Sequence, residues 1–112
     1  MEVEMPTKLD AVILEREGTW VGVFLEPYLV AQAKSKGELI EELQRVLTAH
    51  IVISVERGQQ PFAEMRKAPE HYWTDFSASG EPEVTIRFRL PEQSFQRPGQ
   101  ASLVFHRLPD AA

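Results

Sequence analysis

The first third of the chain contains two β-rich runs joined by a short turn. The first run reads LDAVILERE and the second reads TWVGVFLE, with Glu17-Gly18 between them. Two such runs around a Gly-containing turn predict an antiparallel hairpin. Pro27 then breaks the second run, and YLVAQA after it predicts a third short strand.

The second run is apolar on both of its faces. One face carries Trp20, Gly22 and Phe24, and the other carries Val21, Val23 and Leu25. A strand with two apolar faces is typical of a sheet covered on each side. We therefore expect this strand to lie inside the sheet rather than at its edge.

A helix start follows the third strand. Ser35 is followed three residues later by Glu38, which is the signature of a capping box. Apolar positions then recur at helical spacing at Leu39, Leu43, Val46, Leu47 and His50. These features predict one principal amphipathic helix that packs against the sheet.

The end of this helix has two interpretations. HIVISV, at residues 50–55, has strong β propensity and can form a separate strand. Gly58 is a natural helix stop and Pro61 follows it, which favours a helix to about Arg57. We prefer the helix and keep the strand as the alternative.

The second half of the chain is less regular. AEMRKAPEHYWTDFSAS predicts one short helix before or after Pro69. VTIRFRL alternates, with Val84, Ile86, Phe88 and Leu90 on one face, which predicts a half-buried strand. SLVFHRL predicts one further strand at an edge of the sheet.

Composition and charge exclude several classes of protein. The length of 112 residues suggests one domain, and the chain has no cysteine for disulfides, thiolate zinc sites or a cysteine nucleophile. The net charge of -5 argues against broad nucleic-acid binding and suits a basic partner. The start MEVEMPTKLD lacks the pattern of a signal peptide, and the apolar runs fall short of about 20 residues. We expect a cytoplasmic protein with no membrane span.

No motif in the chain specifies a reaction. The stretch AKSKGE places one Gly and two Lys near a helix start, but a phosphate-binding loop needs a Gly-rich span ending in Gly-Lys-Ser/Thr. The serines lack a nucleophile-elbow context, and Glu41 and Glu42 are adjacent and so diverge on a helix. His71 and His106 have no metal-ligand spacing around them. We therefore expect no enzyme, no cofactor and no metal site.

The order of elements and several turn residues resemble the HicB-like domain, the antitoxin half of bacterial HicA–HicB toxin–antitoxin pairs. The resemblance covers about half the chain, at residues 9–62. The residues that match the family pattern are Glu17, Gly18, Trp20, Ser35, Glu38, Glu41, Glu42, Gly58 and Pro61. One departure is the corner Lys34-Ser35-Lys36-Gly37, which stands where family members have a Gly-Asp-Thr type of sequence.

The resemblance implies a fold and a domain organisation. The fold is α+β, with a β-β-β-α-β order and an antiparallel sheet that has one main helix on one face. From the residues we expect a flexible leader at 1–7, and with the resemblance we expect a single HicB-like domain at 8–92 and a C-terminal extension at 93–112 that can add an edge strand. We find no DNA-binding element after residue 62 of the kind that many HicB proteins carry, so the resemblance implies a stand-alone HicB-like domain.

The resemblance also implies a function. It is that of a small non-enzymatic antitoxin-like protein that occludes a basic partner such as an RNA-cleaving toxin. The alternative is a self-assembling scaffold or regulatory domain that has the HicB-like fold and no toxin partner. In both cases we expect a homodimer or a higher homo-oligomer.

Three residues are the candidates for partner contact. Tyr72 and Trp73 belong to an aromatic group that also includes His71 and Phe76, and Trp and Tyr are enriched at interface hot spots. The competing interpretation is that Trp73 and Phe76 close the core over the sheet. Arg87 is the third candidate, from the polar face of the strand VTIRFRL, where a solvated sheet face is the alternative.

Overall fold

The structure is a computed structural model that describes residues 8–59, 66–79, 82–89 and 100–108. The elements in chain order are β1 (Lys8–Arg16), β2 (Thr19–Phe24), β3 (Leu29–Ala33), α1 (Lys36–Glu56), α2 (Glu70–Ala78), β4 (Val84–Arg89) and β5 (Gln100–Arg107). The predicted α+β class is confirmed. The leader predicted at residues 1–7 lies outside the described residues.

The five strands form one mixed sheet in the order β3-β2-β1-β5-β4. The pairs β1–β2, β2–β3 and β4–β5 are antiparallel, and β1 and β5 are parallel. The expectation of a purely antiparallel sheet is therefore wrong. A parallel pair needs a long crossover, and the chain from β2 to β4 supplies it here.

β5 lies between β1 and β4, so the predicted edge position of SLVFHRL is also wrong. Consecutive residues of this strand, Leu103, Val104 and Phe105, are all buried. A strand that is buried on both faces belongs in the interior of a sheet. β4, with its exposed Arg87 and Arg89, occupies the edge instead.

The predicted hairpin is confirmed. Arg16 pairs with Thr19, and the two turn residues Glu17 and Gly18 have φ values of 51° and 81°. Two consecutive positive φ values are typical of a type I′ turn, whose twist matches that of the flanking strands. The turn therefore fixes the register of β1 and β2.

α1 begins and ends where its sequence signals predict. The Glu38 backbone N–H donates to Ser35 Oγ at 3.2 Å, which caps the first turn. The helix continues to Glu56, so the strand alternative for residues 50–55 is wrong. Gly58 has a φ of 69°, and the Gln59 N–H donates to Ser54 O at 2.8 Å, which satisfies a terminal carbonyl.

The sheet has an apolar core on each face. α1 covers one face, where the fully buried Leu39, Leu43, Leu47 and Ile51 meet Ile13, Phe24 and Phe105. α2 covers the other face, where Tyr72, Trp73 and Phe76 pack around Val12, Val23, Leu25, Ala68 and Leu108. The expectation of one main helix on one face thus describes α1 only. Within the described residues, no helix has the length and apolarity to cross a membrane.

Candidate functional site

The side of the sheet covered by α2 carries the candidate site. Tyr72 and Trp73 lie in α2 and are both half-buried. Their neighbours in the chain, His71 and Thr74, are exposed. The two predicted contact residues therefore pack on the sheet and also reach the surface.

Backbone hydrogen bonds fix Trp73 relative to the sheet. The Leu25 N–H donates to Asp10 O at 3.1 Å, and the Ala68 N–H donates to Leu25 O at 2.8 Å. The Trp73 indole Nε1–H then donates to Ala68 O at 3.1 Å. This series connects β1 to α2, so the indole is held in one orientation. Trp73 thus packs against the apolar core of the sheet, but part of its side chain remains exposed.

Tyr72 is surrounded by other aromatic rings. Its ring centroid lies 6.4 Å from that of Tyr28 and 4.0 Å from that of His71, with both pairs tilted. Tilted aromatic pairs at such distances are favourable beyond the area that they bury. Together Tyr28, His71 and Tyr72 form an aromatic surface, partly accessible to solvent, at the start of α2.

A pocket of about 380 Å³ opens beside Trp73, and we name it the Trp73 pocket. Its polar lining residues are Lys8, Asp10 and Glu26, and its apolar ones are Leu9, Leu25, Pro27 and Trp73. The two carboxylates come from β1 and from the segment after β2. The Leu25–Asp10 backbone hydrogen bond described above brings these two segments together.

Asp10 lies at the centre of a small polar group under α2. Its Oδ1 is 3.5 Å from Lys8 Nζ and 3.4 Å from His106 Nε2. The His106 ring is buried, and it packs edge-on against Phe76 with centroids 4.6 Å apart. Neither Asp10 Oδ1 nor His106 Nε2 has a hydrogen bond of good geometry with the described residues. The pair is an ion pair only when His106 is protonated.

A hydroxyl, an imidazole and a carboxylate follow one another in space at Ser79, His106 and Asp10. They do not form a proton relay that would activate a serine nucleophile. Ser79 Oγ is 3.4 Å from His106 Nδ1 and donates its proton to Phe76 O at 2.6 Å. A hydroxyl has one proton, so His106 Nδ1 must be the donor if it bonds to Ser79. In this arrangement the imidazole does not take the Ser79 proton, and the group is a structural contact between α2 and β5.

Arg87 is separate from this group. It lies on edge strand β4 and pairs with Ser102 of β5. Val84, Ile86 and Phe88 pack on the α1 face, so the alternation places Arg87 on the same side of the sheet as Tyr72 and Trp73. The three predicted contact residues therefore share one side of the sheet, on two different elements.

The described residues contain no group of three or more His, Asp or Glu side chains placed to hold a metal ion. His50 lies on α1, where its carbonyl accepts the Ser54 hydroxyl proton at 2.7 Å. Desolvation by burial lowers the pKa of His50 from its ordinary value of 6.5. His50, His71 and His106 belong to three different elements.

Sequence reasoning missed Asp10, Glu26 and the role of His106. Asp10 follows Leu9 and precedes Ala11, Val12 and Ile13, all of them buried. A carboxylate within a buried strand needs a partner. This requirement was the one local signal in the sequence that could have identified Asp10. The identity of the partner depends on the pairing of β1 with β5, which the sequence did not reveal.

No family model, curated protein or solved structure matches the chain. The resemblance to HicB-like domains therefore rests on the turn and cap residues quoted above. The structure places Tyr72, the Trp73 pocket and Arg87 on one side of the sheet.

Proposed function

We propose that the chain is a small non-enzymatic binding protein, similar to a HicB antitoxin, that acts in the cytoplasm by occluding a basic protein partner. An RNA-cleaving toxin is the type of partner that the resemblance implies. The observation that carries the proposal is the Trp73 pocket, whose lining combines Asp10 and Glu26 with a tryptophan whose indole N–H is hydrogen-bonded to Ala68 O. The HicB-like β-β-β-α-β order is part of the same proposal.

The aromatic surface supports a protein partner. Tyr72 and Tyr28 are half-buried and pack against the core, so each is partly fixed and partly accessible to a partner. Rigid aromatic side chains lose little conformational entropy on binding and are frequent hot spots. Tyr72 therefore contributes an apolar contact next to the acidic pocket.

The charge of the chain supports a basic partner. The net charge of -5 attracts a positively charged protein over a distance and raises its rate of association. Arg87 is a cation within this acidic protein, and it is exposed on β4. We assign it to the rim of the interface, where it pairs with an acidic group of the partner and contributes to specificity more than to affinity.

The first experiment is a pull-down of the tagged protein from its native cell, followed by mass spectrometry and by a binding titration with the captured partner. We expect a small basic protein in stoichiometric amount. Tyr72→Ala should weaken its binding by about 2 kcal/mol if Tyr72 lies in the core of the interface. Arg87→Gln should weaken it by less, about 0.5 kcal/mol, and mainly at low salt.

The matched controls are Thr74→Ala, an exposed residue of the same helix, and Arg57→Gln, an exposed cation at the C-terminal end of α1. Both should bind the partner with unchanged affinity. A partner that binds Tyr72→Ala as tightly as the wild type would exclude the α2 side as the interface. If Trp73→Ala unfolds the domain while Trp73→Phe binds normally, Trp73 is a core residue and not a contact.

A second candidate function is self-assembly, and the edge strand β3 favours it. β3 has the sequence LVAQA with no charged side chain, and Val30 on it is 48% exposed. Edge strands without charge can pair with another chain, and in a homo-oligomer that chain is a second copy. Light scattering of the purified protein should then give an oligomer that Val30→Lys dissociates, whereas a monomer at all concentrations excludes this function.

A further inference from the structure

The Trp73 pocket has the volume of a site for one small group. At about 380 Å³ it lies near the lower end of the range of about 300–1,000 Å³ that ligand pockets occupy. A folded segment of a partner does not fit such a volume, but a single long side chain does. The chemistry of the lining then decides which side chain it accepts.

The lining combines two carboxylates with an aromatic ring. Asp10 and Glu26 supply negative charge, and Trp73, Pro27 and Leu25 supply the apolar part of the lining. A guanidinium group matches all of these features, since it is planar, is weakly hydrated, binds carboxylates with two N–H groups and stacks on aromatic faces. A lysine ammonium matches the charge but lacks the planar shape that stacks on an aromatic ring.

The same chemistry already occurs within the domain. The guanidinium carbon Cζ of Arg107 lies 4.8 Å from the centroid of the Trp20 ring, on the α1 side of the sheet. That distance is within the range of a favourable cation–π contact. The other tryptophan, Trp73, lines a pocket together with two carboxylates, so this pocket also offers a favourable environment for a cation.

The lining of the pocket already includes a cation of the chain itself, the weakly held ammonium of Lys8. Lys8 Nζ is 3.5 Å from Asp10 Oδ1, and the Lys8 side chain is 58% exposed. The Asp10 side chain is 26% exposed, so water and salt screen this ion pair mainly from the side of the ammonium. An incoming guanidinium can therefore displace the ammonium from Asp10 at a small cost.

We infer that the Trp73 pocket receives one arginine side chain of the protein partner, which displaces Lys8 from Asp10. The source of the arginine rests on the proposed function, and the chemistry of the site rests on the pocket alone. Asp10 Oδ1 lies 3.4 Å from His106 Nε2 of β5, so the sheet positions the carboxylate independently of Lys8. Glu26 and the indole then orient the guanidinium.

The test is a titration of the ¹⁵N-labelled full chain with N-acetyl-arginine amide, followed by NMR. The indole N–H resonance of Trp73, assigned with the Trp73→Phe variant, should shift, and that of Trp20 should stay in place as the internal control. N-acetyl-citrulline amide has nearly the same shape without the charge. It should produce no saturable shift of Trp73.

Substitutions around the pocket should change the affinity in opposite directions. Glu26→Gln and Asp10→Asn should each lower the affinity for the arginine probe by about fivefold to tenfold, since each removes a charge-assisted contact. Lys8→Gln should tighten it by about twofold to threefold, because the competing ammonium is gone. Lys34→Gln changes the net charge equally outside the pocket and should leave the affinity unchanged. Glu26→Gln leaves the Asp10–His106 contact intact, so it tests the site even if Asp10→Asn unfolds the domain.

Three results would overturn the inference. The first is an absent Trp73 shift, or an equal shift with the citrulline probe. The second is a captured partner that binds Glu26→Gln and Asp10→Asn with normal affinity but binds Tyr72→Ala more weakly. That result would support the proposed function and exclude the arginine site. The third is a free arginine amide that binds as tightly as an arginine-containing octapeptide, which would reassign the pocket to a small guanidine compound.

Discussion

His106 faces Asp10 across the parallel strands β5 and β1, with 3.4 Å between Nε2 and Oδ1. The imidazole is buried, and the only described carboxylate in contact with it is that of Asp10. A buried polar group that loses its partner keeps its desolvation cost. The two residues therefore depend on each other, although 3.4 Å is long for a hydrogen bond.

A double-mutant cycle measures this dependence. We expect Asp10→Asn and His106→Gln each to lower the free energy of unfolding by about 1–3 kcal/mol. The double variant should lose less than the sum, with a coupling energy of about 1 kcal/mol. Urea unfolding of the four proteins gives the values, and Lys8→Gln is the control, with an expected effect below about 0.5 kcal/mol. Strictly additive losses would show that the two side chains do not interact.

Trp73 should stabilise the fold through its indole N–H as well as through its ring. Trp73→Phe keeps an aromatic ring but leaves the carbonyl of buried Ala68 without the donor that lies at 3.1 Å. We expect a loss of about 1 kcal/mol in the free energy of unfolding. Tyr72→Phe, which removes only a hydroxyl from the same helix, is the control and should cost less. Equal stability of the wild type and Trp73→Phe would mean that this hydrogen bond contributes nothing.

Gly22 sets the distance between β2 and α1. A Cβ added to Gly22 would lie 2.6 Å from Leu43 Cδ1 and 3.2 Å from Leu39 Cδ1, and both leucines are fully buried. Gly22→Ala should therefore destabilise the domain by about 1–3 kcal/mol through overpacking. Leu43→Val in the same chain should recover part of that loss, and thermal or urea unfolding measures both.

Gly37 is the matched control for Gly22. It lies in the first turn of α1, and an added Cβ there meets nothing within 4 Å. Gly37→Ala should leave the domain equally stable or stabilise it by about 0.5–1 kcal/mol, because alanine has the higher helix propensity. A Gly22→Ala variant as stable as Gly37→Ala would show that α1 can move away from the sheet at no cost.

His50 should make the domain less stable in acid. Burial lowers its pKa below 6.5 in the folded state, so below pH 6.5 the unfolded chain binds a proton that the folded chain does not. The contribution of neutral His50 to the free energy of unfolding is therefore fully present above pH 6.5. It is lost as the pH drops through the lowered pKa. Urea unfolding between pH 7.5 and 5 should show a smaller decrease for His50→Gln than for the wild type. Thr48→Ser on the same helix should keep the full decrease.

Features that depend on neighbouring residues were predictable from the sequence. Glu17 and Gly18 determine a turn by their own backbone conformations, and Ser35 caps the helix through a bond to the residue three positions later. Gly58 ends α1 by the same kind of local rule. The predictions at these positions are correct because the interactions that determine them join residues only a few positions apart in the chain.

Features that depend on distant pairing were not predictable in this way. The placement of β5 follows from the register of Lys8 with Ser102, and the local pattern of SLVFHRL does not reveal that pairing. The Trp73 pocket likewise combines β1, the segment after β2 and α2. Tyr72 and Trp73 were identified from residue type, whereas Asp10 and Glu26 become visible only when these segments meet.

The central position of β5 has a consequence for the order in which the domain folds. During synthesis β1, β2, β3 and α1 emerge first, and β1 is then an open edge, since its second neighbour is β5. Pairing of β1 with β5 closes a large loop, and such high contact order slows folding. Until β5 arrives, the nascent chain exposes the hydrogen-bonding edge of an apolar strand, a state in which chains associate wrongly. The domain therefore reaches its native sheet only after its last described strand has left the ribosome.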